Sequence, residues 1–204
     1  MNREQYDKLI ESIFKLIAVR GLSRTTMDLV ASRLSMSKRT LYEIFGSKDN
    51  MYRCVLSHID QKNSQEVIKI IRATGNVMEA MANVVLHQQR QIAGINVEFF
   101  RDMDRRHRNL RNDYEKQFQA WGAVIMQAIR LGVRQGVIRE DTNVDLSLRL
   151  LRIQMESLKR MEELFPPEIT LAQAFNAIGL GFLRSIATEK GMEVLNKLSD
   201  KFNN

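Results

Sequence analysis

The residues best suited to chemistry are three consecutive polar side chains, Lys38, Arg39 and Thr40, which can read the edges of DNA bases. The Arg39 guanidinium can donate two hydrogen bonds to O6 and N7 of one guanine, and Thr40 can contact a thymine methyl group or hydrogen-bond to a base edge. A recognition helix reaches base edges with its first turn. These residues therefore require a short helix that begins near position 38.

The apolar periodicity around these residues predicts a helix-turn-helix. We expect a first helix ending near Arg20, with Gly21 as its C-cap, and a second over 27–34 that Thr25 or Thr26 caps. A third helix over 38–44 follows, capped by Ser37, and Ser47 caps a fourth that runs to about residue 72. In the third helix we expect three inward side chains and five on the exposed side: Leu41, Ile44 and Phe45, then Lys38, Arg39, Thr40, Tyr42 and Glu43.

Beyond position 75 the predicted helices become longer, and their apolar faces become wider. They lie near 77–93, 96–106, 108–135, 143–164, 170–188 and 191–202. The expected breaks are Gly94, residues 136–141, residues 165–167 and Gly191. The arginine-rich run 101–111 is interpreted as a solvated helix junction with local ion pairs, because acidic residues interrupt its positive charge.

Composition narrows the possible functions. The chain has 204 residues and a net charge of +7, which favours a polyanionic partner without choosing among DNA, RNA and a membrane surface. Its single cysteine, Cys54, excludes an internal disulfide and a CxxC zinc site, and the three histidines lack metal-ligand spacing. No catalytic motif stands out, so we expect neither an enzyme nor a cofactor or metal. The N-terminus lacks the apolar core of a signal peptide, which predicts a cytoplasmic protein.

Residues 26–48 resemble the signature of the TetR family of bacterial transcriptional repressors. The matching features are the threonine before the second helix, Ala31, the Ser-Lys-x-Thr-Leu-Tyr core at 37–42, and Phe-Gly-Ser-Lys at 45–48. The resemblance covers roughly residues 9–56. It implies an all-α protein, with a helix-turn-helix DNA-binding domain at 1–50, a continuous linker helix at about 48–72, and a larger ligand-binding and dimerisation domain at 51–204.

The resemblance also implies roles for single residues in the DNA-binding domain. Those at phosphate-contacting and base-reading positions, with the capping serine, are Thr26, Ser37, Lys38, Arg39, Thr40, Tyr42 and Lys48. Two positions depart from the family pattern. Ser35 replaces the usual glycine of the turn and must adopt or avoid a backbone conformation that glycine takes freely. Glu43 replaces an aromatic residue or histidine, and it either accepts a hydrogen bond from cytosine N4 or weakens non-specific binding.

The second domain is rich in methionine and aromatic residues, which suit an irregular apolar ligand pocket but also an ordinary helical core. The pocket hypothesis predicts a hydrophobic or aromatic effector with one or two polar groups. Its candidate lining residues are Met81, Val85, Gln88, Phe99, Phe100, Trp121, Met126 and Met155.

Two-fold symmetry doubles the contacts of a small DNA-binding module, which favours a homodimer on a palindromic operator. By resemblance to the family, the last two long helices pair across the two-fold axis, and Gly179 and Gly181 would admit a close partner helix. The candidate interface residues are Leu148, Leu151, Leu158, Leu171, Phe175, Ile178, Gly179 and Phe182. The alternative is that these helices form core within one chain.

These observations predict a homodimeric repressor that a small effector releases from double-stranded DNA. Two other classes stay open. One is a helix-turn-helix regulator without a small-molecule effector, either constitutive or controlled by a protein. The other is a helical interaction module or enzyme that does not use DNA.

Overall fold

The computed structural model describes residues 1–106 and 108–198, and the side chains within these ranges except those of residues 104–120. The fold is all-helical, as predicted. The helices are α1 (Arg3–Arg20), α2 (Met27–Arg33), α3 (Lys38–Phe45), α4 (Lys48–Ala73), α5 (Val77–Ile92), α6 (Glu98–Arg106), α7 (Arg108–Arg134), α8 (Val144–Ser157), α9 (Met161–Leu164), α10 (Leu171–Ile186) and α11 (Glu189–Lys197). None of the helices in the described ranges is long and apolar enough to cross a membrane.

The chain forms two compact units. The first comprises residues 1–66 and 94–112, and the second comprises residues 67–93 and 113–204. The helix α4 continues without a break past residue 66, where the first unit ends.

The core of the first unit gathers the buried faces of α1 to α4 and α6. Ile13 and Ile17 of α1 pack with Val30, Leu41 and Phe45, as the spacing of apolar residues predicts. Phe99 and Met103 bring α6 into the same cluster. The helix-turn-helix is therefore fixed to α1 and α6 by one continuous apolar core.

Polar contacts hold the loop between α1 and α2 inside this unit. The Tyr52 hydroxyl lies 2.5 Å from the Leu22 carbonyl oxygen and 2.7 Å from that of Thr25, and burial raises the pKa of Tyr52 far above its usual range. Asp102 is 9% exposed and accepts hydrogen bonds from the Ser23 backbone N–H, at 2.7 Å, and from the Ser23 hydroxyl. The interpretation of 101–111 as a solvated junction is wrong at Asp102, because the loop needs a buried acceptor. Arg101 does make a local ion pair, with Glu98 at 2.8 Å. The side chains of 104–111 lie outside the described residues.

The second unit is built around α5 and α10. Its core includes Met78 and Ala82 of α5, Ile129 of α7, and Leu183 and Ile186 of α10. Within α10, Gly179 lies against Val85, where an added Cβ would come within 2.8 Å of a valine methyl carbon. The close helix approach at Gly179 therefore occurs within the chain, instead of with a partner as the sequence suggested.

Two further sequence predictions about this unit are wrong. The predicted helix 143–164 is divided, because a 3₁₀ turn at Leu158–Arg160 separates α8 from α9. Gly191 does not break a helix but lies inside α11, which Thr188 caps by accepting from the Gly191 N–H. An added Cβ at Gly191 would lie 2.2 Å from the Val137 carbonyl oxygen. Only glycine therefore allows α11 to pack this closely against Val137. The predicted end of this helix, at 199–202, lies outside the described residues.

Candidate nucleic-acid interface

Local capping defines the helix-turn-helix. The side chain of Thr26 accepts from the Leu29 N–H, so Thr26 caps α2, while Thr25 is buried and donates to the Gly21 carbonyl instead. Ser37 caps α3 by accepting from the Thr40 N–H at 2.9 Å. A hydroxyl donates one bond and accepts two, so accepting from a backbone N–H does not use its proton. The Ser37 hydroxyl also lies 2.8 Å from the Thr40 hydroxyl, with which it shares a hydrogen bond.

The turn between α2 and α3 contains Ser35, one of the two positions that depart from the family pattern. Ser35 adopts the left-handed conformation with φ 53°, so the turn keeps the geometry that glycine would give it. The next residue is held by a hydrogen bond from the Met36 N–H to the Ala31 carbonyl at 2.9 Å. Non-glycine residues carry strain in this region, which the turn must offset by its packing.

The third helix presents its polar side as predicted. Leu41 and Phe45 are buried and Ile44 packs partly against the same core. The predicted outward residues are exposed except for Thr40, which is half-buried: Lys38, Arg39, Thr40, Tyr42 and Glu43. Gly46, with φ 72°, ends the helix by donating its N–H to the Tyr42 carbonyl.

Both basic side chains in the first turn of α3 are paired with acids. Lys38 Nζ lies 2.9 Å from Asp28 Oδ1 of α2, and this carboxylate raises the pKa of Lys38 through a hydrogen bond. Arg39 Nε donates to Glu43 Oε1 at 2.8 Å, one turn along the same helix. Sequence reasoning missed both partners, although the spacing of Arg39 and Glu43 is a visible signal for helical ion pairs.

The candidate phosphate contacts surround this helix. Thr26 is exposed at the start of α2, and Tyr42 is 43% exposed on α3. Lys48 opens α4 with its Nζ 5.3 Å from the centre of the Tyr52 ring, a distance at which a cation interacts with an aromatic face. The exposed side of the helix-turn-helix thus combines cations, hydroxyl groups and one exposed tyrosine.

The predicted effector residues divide between the units. Phe99 is buried in the core of the first unit, where Phe100 packs edge-on against it with ring centroids 5.1 Å apart. The others belong to the second unit and are half-buried: Met81, Val85, Gln88, Trp121, Met126 and Met155.

All of the predicted dimer residues are buried or half-buried within the single chain. Leu158, Gly179 and Phe182 are buried in the second unit. The other five are half-buried: Leu148, Leu151, Leu171, Phe175 and Ile178. Three other apolar side chains of α8 are more exposed. Leu146, Leu150 and Ile153 are 52%, 52% and 65% accessible.

Comparisons with known proteins agree with this architecture. Residues 9–55 match the family model described as bacterial regulatory proteins, tetR family. A putative transcriptional regulator from Saccharomonospora viridis, solved in complex with choline, superposes with a TM-score of 0.74 at 18% identity, covering 92% of this chain and 100% of that one. The ketosteroid transcriptional regulator KstR2 of Mycobacterium tuberculosis gives 0.60 at 20% identity, over 93% and 98%. A TetR-family regulator from Agrobacterium tumefaciens gives 0.74 at 11%, over 92% and 100%. A search of curated proteins gave no match.

The fold matches that of solved transcriptional regulators over more than nine-tenths of the chain. The N-terminal segment over residues 9–55 belongs to the tetR family of bacterial regulatory proteins.

Proposed function

We propose that this regulator binds a palindromic operator as a homodimer, represses transcription in the cytoplasm, and leaves the DNA when a largely hydrophobic effector binds. Residues 1–50 form the DNA-binding domain in this proposal, and residues 51–204 bind effector and partner. The observation that carries it is the exposed polar side of α3, with Lys38 and Arg39 in its first turn, above a buried apolar side.

The DNA interaction is tested by sequencing the genomic fragments that the purified protein retains, followed by a salt titration on the best fragment. We expect a palindromic site bound by two chains. Lys48→Ala should weaken binding to all sequences alike and reduce the salt slope by about one. Binding that is insensitive to salt, or retention of nothing above background, would contradict the proposal.

An exposed apolar stripe supports the dimer. Leu146, Leu150 and Ile153 recur at i, i+4 and i+7 on α8, and such a contiguous exposed stripe is typical of an interaction surface. The helix α10, which packs on α8, has open space above Gly181, so a partner helix can approach there. The sequence alone did not separate this stripe from the half-buried α8 leucines, because α8 is apolar on more than one side.

The dimer is tested by measuring mass in solution for Leu150→Asp. We expect this variant to be monomeric, because two facing copies would bury unpaired carboxylates. The matched control is Val124→Asp on α7, which also places an acid at an exposed apolar position, 42% accessible in the wild type. Equal behaviour of the two variants would remove the stripe from the interface.

A buried polar atom supports an effector that carries a hydrogen-bond donor. Among the described residues, the Asn176 amide oxygen is buried without a hydrogen-bond partner, and such an atom costs free energy until a donor reaches it. Because Gly179 contacts Val85 and the end of α10 shares a core with the start of α5, Asn176 lies level with the second half of α5, where Gln88 is.

Choline and a steroid are the first effector probes. One structural relative was solved in complex with choline, and another is described as a ketosteroid transcriptional regulator. We expect an effector to raise the melting temperature and to weaken operator binding, and Asn176→Leu to reduce both effects. If no compound in a broad panel shifts either quantity, the regulator without a small-molecule effector becomes the better description.

A further inference from the structure

The pair formed by Arg39 and Glu43 lies on the exposed side of α3, where a base would be read. Arg39 Nε donates to Glu43 Oε1 at 2.8 Å, while the two side chains are 88% and 60% exposed. Leu41 and Phe45 hold the opposite side of the helix in the core. The acid thus lies beside the arginine, in a position to orient it.

The atom used by this hydrogen bond matters for recognition. A guanidinium has five N–H donors, and the bond from Nε occupies one of them. The two terminal nitrogens remain free to donate to O6 and N7 of a guanine. The bond to Glu43 therefore leaves a two-pronged donor for the base and limits the rotamers of a long side chain that would otherwise have to be ordered on binding.

We propose that Glu43 is a positioning residue for specificity: it holds Arg39 in the conformation that reads guanine, and it does not itself contact a base. This inference rests on the proposed DNA-binding function. It differs from the two roles that the sequence suggests for Glu43, which are to accept from cytosine N4 or to repel phosphates. Each of the three roles leaves a different pattern across base pairs.

The experiment measures dissociation constants for the selected operator and for a panel in which each base pair of one half-site is replaced. Arg39→Ala first identifies the base pair that Arg39 reads, where we expect discrimination to fall by about 5- to 150-fold. Wild-type protein is measured beside it. If wild type binds no duplex in a salt-sensitive manner, the proposed function itself fails, and this is seen before any Glu43 variant is made.

Glu43→Ala should then reduce discrimination at the same base pair by about two- to twelvefold, which is the effect of leaving one long side chain unordered. In the Arg39→Ala background it should cause no further loss there. Glu43→Gln keeps an amide oxygen that can accept from Nε, so it should retain more discrimination than Glu43→Ala.

Asp28→Asn is the matched control. It also removes one negative charge from the exposed surface of the helix-turn-helix, but its partner is Lys38. We expect it to raise affinity for all duplexes by one common factor and to leave discrimination at the Arg39 base pair unchanged.

Two results would overturn the inference. If Glu43→Ala loses discrimination at a different base pair, and does so equally when Arg39 is alanine, Glu43 reads that base directly. If Glu43→Ala raises affinity for every sequence by one common factor, as Asp28→Asn does, Glu43 acts only through its charge.

Discussion

Two hydrogen bonds between Asp102 and Ser23 attach α6 to the loop between α1 and α2. From them we predict how much this attachment contributes to the free energy of unfolding of the first unit. The perturbation is Asp102→Ala. It removes the acceptor of the Ser23 backbone N–H, at 2.7 Å, and the acceptor of the Ser23 hydroxyl. Because Asp102 is 9% exposed, water replaces these bonds poorly. We expect the variant to unfold at a lower denaturant concentration.

The magnitude follows from the two bonds. A hydrogen bond to a charged acceptor contributes about 1.5–3 kcal/mol, so two contribute about 3–6 kcal/mol. Removing the carboxylate also removes the desolvation cost of a buried charge. The net loss in the free energy of unfolding is therefore about 2–4 kcal/mol. Ser23→Ala loses only the hydroxyl bond to the charged acceptor and keeps the backbone bond, so it should cost about 1.5–3 kcal/mol.

The assay is urea unfolding followed by circular dichroism, with the free energy of unfolding extrapolated to water. The matched control is Asp141→Ala, since the Asp141 side chain is 81% exposed and should change stability by less than about 0.5 kcal/mol. The double variant of Asp102 and Ser23 should cost less than the sum of the single changes, because they share a bond. The reasoning is refuted if Asp102→Ala costs no more than Asp141→Ala.

Three further predictions concern single buried or strained positions, and each is measured by the same unfolding assay. Tyr52→Phe should cost about 1–3 kcal/mol, because the single hydroxyl proton that the buried Leu22 and Thr25 carbonyl oxygens share is lost. Since burial raises the pKa of Tyr52, the unfolded state loses this proton first, so wild-type stability should fall as pH rises above about 10, and the phenylalanine variant should lack that contribution. Gly191→Ala should cost about 3 kcal/mol, because its Cβ meets a backbone oxygen of Val137, whereas Gly122→Ala, with nothing within 4 Å, should stabilise by about 0.5–1 kcal/mol. Ser35→Gly should stabilise by about 0.5–1 kcal/mol by relieving a positive φ, and a loss of stability would mean that the turn is not strained.

Much of the helix-turn-helix was predictable because its signals are local. Ser37 and Gly46 mark the two ends of α3 through bonds to residues three or four positions away. At Ser35 the resemblance left two possibilities open, to adopt or to avoid the conformation that glycine takes freely, and the structure has the left-handed one. The inward side of α3 follows from helical periodicity. Such features depend on neighbouring residues alone, so they can be read without knowing the rest of the fold.

The predictions that were wrong concern residues whose surroundings are formed by residues far away in the sequence. Gly191 looks like a helix break in sequence, but Val137, more than fifty residues earlier, occupies the space that a side chain would need. Asp102 looks like part of a solvated charge run, but the Ser23 loop takes it as a buried acceptor. No local pattern reports either contact.

The sequence by itself therefore determined the all-helical class, the helix-turn-helix and the side of α3 that faces outward, because caps and periodicity act over a few residues. Only the tertiary structure decided which apolar side of α8 stays exposed, at Leu146, Leu150 and Ile153, and that Asp28 would reach Lys38. The physical reason is that burial and pairing depend on which elements pack together, and a helix with more than one apolar side is compatible with several packings.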